Sequence, residues 1–218
     1  FLGGRLGYML FYNFGEFLED PVSIFRVWDG GMASHGGFIG VMLFILWYAK
    51  KHHHSFLNLV DNFAATASLG LGFGRLANFI NGELWGRASD VKWAVIFPQE
   101  LGYQYGQYTT EQIRALDLPA RHPSQLYQAF CEGFLVFGLM LLIRKTRWGK
   151  RPGALSCSYL VLYAFARIAM EFFREPDNGE FFMAWITKGQ FYSILMVLAA
   201  VLAAWKAGLF HKTAPVSK

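Results

Sequence analysis

Gly72-Phe73-Gly74-Arg75-Leu76-Ala77-Asn78-Phe79-Ile80-Asn81-Gly82-Glu83-Leu84-Trp85-Gly86-Arg87 is the stretch on which the fold turns. It follows an uncharged run, Phe63 to Phe73, that reads as membrane-buried helix. Arg75 arrives while the sequence is still apolar. A charge at membrane depth costs about 2.5–3.5 kcal/mol on insertion scales, so such residues tend to mark a functional site. Arg75, Asn78 and Gly82 are spaced i, i+3 and i+7 and share one helical face. The simpler alternative is an arginine paired with an acid on another helix, locking a bundle.

Working outward, the same apolar character recurs along the chain. Hydrophobic residues make up 54% and charged residues 16%, well below the roughly 25% charged of a soluble domain. With their flanks, the apolar runs predict five complete membrane helices at about 35–50, 60–80, 124–144, 153–173 and 188–208. Each has about the 17–25 residues needed to cross the hydrocarbon layer. The expected fold is therefore all-α, a polytopic helical membrane protein forming one integral membrane domain over residues 1–218. Phe1 to Phe14 reads as part of a further N-terminal helix. The absence of an initiator Met and the start inside an apolar segment predict a fragment lacking upstream helices. There is no basic region or small-residue cleavage site of the kind a signal peptide carries.

Charge sorting gives an orientation. Loops 50–55 and 144–151 and the tail from 206 carry Lys50, Lys51, Arg144, Lys145, Arg147, Lys150, Arg151, Lys206, Lys212 and Lys218, with no acid. Thirteen of the fifteen acids fall in 12–34, 82–123 and 171–188. The positive-inside rule puts the first set in the cytoplasm. Residues 82–123 then form a periplasmic arm between spans, in which Trp93 to Phe97 alternates weakly enough to suggest a short strand. The net charge of +5 sits at helix ends and suits anionic headgroups, so it argues for contact with membrane lipids and not with nucleic acid. His52-His53-His54 reads as a solvated turn. Cys131 and Cys157 lie inside predicted spans with no ligand-spaced partner and read as structural thiols.

Four further polar features fall near the outer boundary. Tyr163, Arg167, Glu171 and Arg174 form a stripe at i, i+4, i+8 and i+11, in which Arg167 and Glu171 can pair with each other. Arg174 sits high enough to be an interfacial anchor. Ser34-His35-Gly36-Gly37 places a residue that titrates near neutral pH at a helix start, beside glycines that let a ligand approach the backbone. Arg121-His122-Pro123-Ser124 is similar, with Ser124 as an N-cap. Arg5, in Gly3-Gly4-Arg5-Leu6-Gly7, is another charge among small residues. Arginines on separate helices beside a histidine suit bidentate recognition of a phosphate, and apolar surroundings suit acyl chains. The ligand implied is an anionic phospholipid. No P-loop, HExxH, GxSxG or CxxC motif is present. An anionic-lipid transporter or flippase is the competing class, although it favours paired interrupted helices in two related halves, and only the repeated Gly-Arg-Leu at 4–6 and 74–76 echoes that. A metal-dependent headgroup phosphotransferase would need an Asp-rich cluster, and none is present.

The stretch 74–87 resembles the signature of the bacterial prolipoprotein diacylglyceryl transferase family. The resemblance extends to Phe1–Phe14, to Arg26-Val27-Trp28-Asp29-Gly30-Gly31-Met32, to Ser34-His35-Gly36-Gly37, to Arg121 through Tyr127, and to Tyr163 through Asp177. Ala77 stands where the usual signature has glycine, a small-for-small change. Further N-terminal sequence of the family, with a first membrane helix and a functionally important tyrosine, is absent. The resemblance implies transfer of an sn-1,2-diacylglyceryl group from phosphatidylglycerol to the lipobox cysteine of a prolipoprotein signal peptide. A thioether forms, glycerol phosphate leaves, and no metal or organic cofactor is involved. It also implies a bacterial inner membrane location with the site toward the periplasm. Arg75 and Arg167 are then expected to hold the phosphate, and His35 to accept the thiol proton. Asn78, Glu83 and Gly86 would shape the headgroup pocket, Tyr163 and Glu171 would orient Arg167, and Arg5 would add a lipid contact.

Overall fold

The computed structural model of the chain describes residues 1–175 and 186–210. Lys212 and Lys218 of the basic tail, Asp177 and Glu180 of the acidic loop, and the Pro176-Asp177 end of the family resemblance lie outside the described residues. Among the described residues the fold is all-helical, with isolated backbone bridges and no strand. Helices stand where the apolar runs predict them: α3 (Ser34–Lys51), α4 (Phe56–Asn81), α6 (Ser124–Gln128) continuing into α7 (Val136–Lys145), α8 (Ala154–Met170) and α9 (Lys188–Lys206). Two stretches, Ser124–Lys145 and Gly189–Lys206, are long and apolar enough to cross a membrane, and Ala154–Met170 is a shorter apolar helix. The short helices α1 (Leu2–Phe11), α2 (Phe14–Glu19) and α5 (Thr110–Ala115) complete the set. Trp93 to Phe97 is not a strand: Val95 makes a single antiparallel bridge to Arg121. A lone bridge leaves no ladder for a strand to extend.

The chain divides into two compact units, Phe1–Val60 and Asp61–Lys218. In the first, α1 packs along α3 through small residues. A Cβ on Gly7 would lie 2.8 Å from Gly36 Cα, and one on Gly40 would lie 3.2 Å from Gly3 Cα. Gly36 thus serves helix packing and is not open to a ligand, as the sequence pattern had suggested. Such close backbone approach is what small residues provide where apolar side chains gain nothing by leaving lipid. Arg5 is 2% exposed. It donates to the carbonyls of Ser23 (Nη2, 2.9 Å), Gly30 and Gly31, and so closes the 23–31 loop over α1.

In the second unit, α4 buries one narrow face, Asp61, Ala64, Ala65, Ser68 and Gly72, at helical spacing, with Arg75 next in line. Ala65 packs with Val136, Met140 and Leu155 from α7 and α8. At one end of the stripe, the Asp61 carboxylate accepts from Gly153 N (2.8 Å), Ser156 N (2.8 Å) and Ser156 Oγ (2.6 Å). These are orphan donors at the start of α8, where a negative charge also meets the positive end of the helix dipole. The buried Asp61 therefore caps a helix other than its own. Further along, a Cβ on Gly72 would meet Ala129 O and Gly133 Cα at 3.3 Å. Gly70 and Gly74, its sequence neighbours, meet nothing within 4 Å. Residues Ala129–Leu135, between α6 and α7, form a π-helical segment opposite this crossing.

Candidate active site

Arg75 on α4 and Arg167 on α8 meet at one acid, Glu132 of the π segment. Arg75 Nη2 lies 3.7 Å from Glu132 Oε2, and Arg167 Nη1 lies 3.5 Å from Glu132 Oε1. Arg167 Nη2 also pairs with Glu171 Oε2 at 3.0 Å, the i, i+4 pairing the stripe predicts. Glu132 is fully buried, and Arg167 and Glu171 are buried as well. An isolated buried carboxylate is expensive, and paired guanidiniums offset that cost. The pairing of Arg75 with an acid on another helix, the simpler alternative from sequence, is thus realised. It leaves the guanidinium largely unused, because both ion pairs to Glu132 are long. Among the described residues Arg75 makes no hydrogen bond, and its Nε is buried without a partner.

Glu171 is held from a second side. The N-terminus of α9 abuts it, and a Cβ on Gly189 would lie 2.9 Å from Glu171 Oε1. Thr187 caps α9 through a reciprocal box with Gln190, so the helix end is fixed against the carboxylate. Tyr163 lies on α8, one turn before Arg167. Arg174 is buried and not an exposed anchor.

The signature stretch folds into a loop over the start of α6. Glu83 Oε1 accepts from Asn78 Nδ2 at 2.7 Å and from Asn81 Nδ2 at 3.3 Å. Gln125 Nε2 donates to Glu83 O at 2.7 Å, and Ser124 Oγ donates to Leu84 O at 3.3 Å. Ser124 is therefore a tertiary contact and not an N-cap, the cap position belonging to Pro123. Leu84 takes a φ of 55°, uncommon for a bulky residue, and these bonds hold it there. Gly86 is enclosed by backbone. A Cβ there would lie 2.6 Å from His122 O and 2.8 Å from His122 Cβ, while Gly86 N donates to His122 O and Arg87 N to Phe173 O. Its smallness serves the docking of the loop.

Arg121 is the hub of that docking. It bonds both oxygens of Glu100, pairs with Glu175, and lies 6.0 Å from the Trp85 ring centre. The hydrogen bonds to Glu100, followed by the charges of Glu100 and Glu175, outweigh burial and raise its pKa above the ordinary value. In the first unit, His35 is exposed on the first turn of α3. Arg5 is occupied by the carbonyls described above. Cys131 and Cys157 are free thiols.

Sequence reading missed Glu132, Gln125 and Gln128. Once thirteen of fifteen acids are assigned to outer loops, Asp61 and Glu132 remain inside predicted helices, and that remainder was the available signal.

The prolipoprotein diacylglyceryl transferase family profile matches residues 1–206. The chain is 44% identical over 216 residues to the phosphatidylglycerol–prolipoprotein diacylglyceryl transferase of Photobacterium profundum, covering 98% of this chain and 74% of that protein. It is 45% identical over 209 residues to the protein of that name from Brucella anthropi, and 44% identical over 209 to that of Brucella ovis, each match covering 94% of this chain and 69% of the relative. On these matches the chain belongs to the prolipoprotein diacylglyceryl transferase family.

Proposed function

We propose that this chain transfers the sn-1,2-diacylglyceryl group of phosphatidylglycerol to the lipobox cysteine of prolipoproteins, the first step of lipoprotein maturation. The observation that carries the reading is Arg75, a mostly buried guanidinium with unused donors, held beside Arg167 by their shared acid. Guanidiniums present planar forks that fit phosphate oxygens. In the proposed reaction the thiol loses its proton, sulfur attacks the glycerol carbon that bears the phosphate, and the C–O bond to phosphate breaks. A thioether and glycerol phosphate result. Charge builds on the departing phosphate, where Arg75 and Arg167 stabilise it by pre-placed donors. Glu132 and Glu171 keep the two guanidiniums aimed, with Tyr163 beside Arg167. Asn78 and Glu83 shape the headgroup side, and Gly86 lets the signature loop close. His35 is proposed as the base on its chemistry, since a neutral imidazole nitrogen can accept a proton from a thiol. Arg5 is proposed to act on lipid indirectly, by holding the 23–31 loop.

The finer topology belongs to the same proposal: five complete spans and part of another, in the bacterial inner membrane, with 82–123 on the periplasmic side. The family places the chain in a membrane, and the apolar helices agree. The test supplies the membrane-reconstituted protein with phosphatidylglycerol and a lipobox peptide and follows the thioether by mass spectrometry. An unmodified peptide with folded protein overturns the reading. Arg75→Ala and Arg167→Ala should each lower turnover about 10²–10³-fold, as loss of a charge-stabilising donor does elsewhere. Normal turnover in either variant removes that residue from the phosphate site.

A further inference from the structure

Gln128 is 1% exposed, and neither Oε1 nor Nε2 has a hydrogen-bond partner among the described residues. Burying an amide without hydrogen-bond partners is costly, so the group calls for an explanation. Its position supplies one. Gln125, Gln128 and Glu132 follow each other at i, i+3 and i+7 and form a buried polar row. The row begins at the signature loop, where Gln125 Nε2 bonds Glu83 O. It ends at Glu132, which touches both arginines. Four other buried atoms nearby also lack hydrogen-bond partners, Gln125 Oε1 at the loop end and Arg75 Nε, Glu132 Oε2 and Glu171 Oε2 at the arginine end. The row lies where the helix passes into its π segment, a distortion often found at functional sites.

The open valences select the ligand chemistry. An amide offers both a donor and an acceptor. A phosphate oxygen satisfies only the donor and an ammonium satisfies only the acceptor, whereas a hydroxyl satisfies both. We propose that Gln128, with Gln125 Oε1, binds the hydroxyls of the lipid's glycerol headgroup and so selects phosphatidylglycerol over phospholipids whose headgroups carry no hydroxyl. This rests on the transferase reading and places the phosphate on Arg75 and Arg167 with the headgroup diol lying along the row.

The test compares phosphatidylglycerol with phosphatidylpropanol, which keeps the phosphodiester and acyl chains and lacks both headgroup hydroxyls. Each lipid displaces labelled phosphatidylglycerol from the nanodisc-embedded protein, wild type and Gln128→Met. The wild type should prefer phosphatidylglycerol about tenfold or more, because a site built to hydrogen-bond a hydroxyl rejects the analogue lacking it. Gln128→Met should close the gap by weakening phosphatidylglycerol alone, with an unchanged or higher melting temperature in the absence of lipid. The proposal is overturned by no gap in the wild type, an unchanged gap in the variant, or equal weakening of both lipids. A lowered melting temperature also overturns it, since the amide would then have an internal partner. Displacement needs no turnover. A wild-type protein that forms the thioether but shows no gap would therefore overturn this proposal alone and leave the transferase reading intact.

Discussion

Glu132 holds two guanidiniums from two helices at 3.5 and 3.7 Å; Arg167 also has Glu171 at 3.0 Å, whereas Glu132 is the one acid that Arg75 pairs with among the described residues. Removing one side of a buried ion pair leaves the other charge uncompensated, at about 3–5 kcal/mol. Glu132→Gln keeps the shape and loses the charge, so it should lower the melting temperature in detergent clearly, and phosphatidylglycerol should restore part of the loss by supplying a replacement anion. An unaltered melting curve would mean that the arginines do not depend on this acid. Glu171 has a different vulnerability. In Gly189→Ala the new Cβ would crowd its carboxylate from 2.9 Å, pushing it off Arg167. Turnover should fall while expression stays normal, and steady-state kinetics on the variant checks this. Much of this centre was readable from sequence because arginines in apolar helices are costly and therefore conspicuous. Glu132, Gln125 and Gln128 were not, because single polar residues have no periodicity and are averaged away by hydropathy. Their importance comes only from what packs against them.

The crossing of α4 with the π segment shows which of several similar residues packing selects. Gly70, Gly72 and Gly74 look alike in the chain, yet Gly72 alone meets another backbone, at Ala129 and Gly133. Gly133→Ala would drive a methyl into Gly72 Cα, and overpacking against backbone costs about 1–3 kcal/mol or more. Gly74→Ala should stay within about 0.5 kcal/mol of wild type because it faces open space. Equal melting temperatures for the two variants would show that the crossing is not tight. The helices themselves followed from apolar run length, since backbone groups away from water must pair within their own segment. The π segment did not. It departs from the regular helical bond pattern where α4 presses against it, and no local preference announces that. Asp61 had no local signal either, because it caps α8 from across the bundle.

At the scale of the whole second unit, the 82–123 arm is fastened to the end of α8 by Arg121, Arg87 and Gly86. Arg121→Lys removes the fork that grips both oxygens of Glu100 while Glu175 stays charged, and a lysine does not replace a bidentate arginine. The arm should then become more sensitive to limited proteolysis in proteoliposomes, with the helices still protected; an unchanged cleavage pattern would show that Arg121 does not hold it. The arm's irregular path was not readable in advance, because its order comes from scattered long-range bonds and not from a repeating pattern. The triad of Arg75, Glu132 and Arg167 also bears on how the protein is made. On the proposed topology Arg75 and Glu132 each enter the bilayer on a separate helix before a partner arrives, at about 2.5–3.5 kcal/mol apiece, while Arg167 brings Glu171 with it. Any arrangement that keeps those helices apart leaves Arg75 and Glu132 stranded in lipid and Arg167 with Glu171 alone. Together they act as a proofreading device during biogenesis, favouring the one assembly in which α4, the π segment and α8 are neighbours.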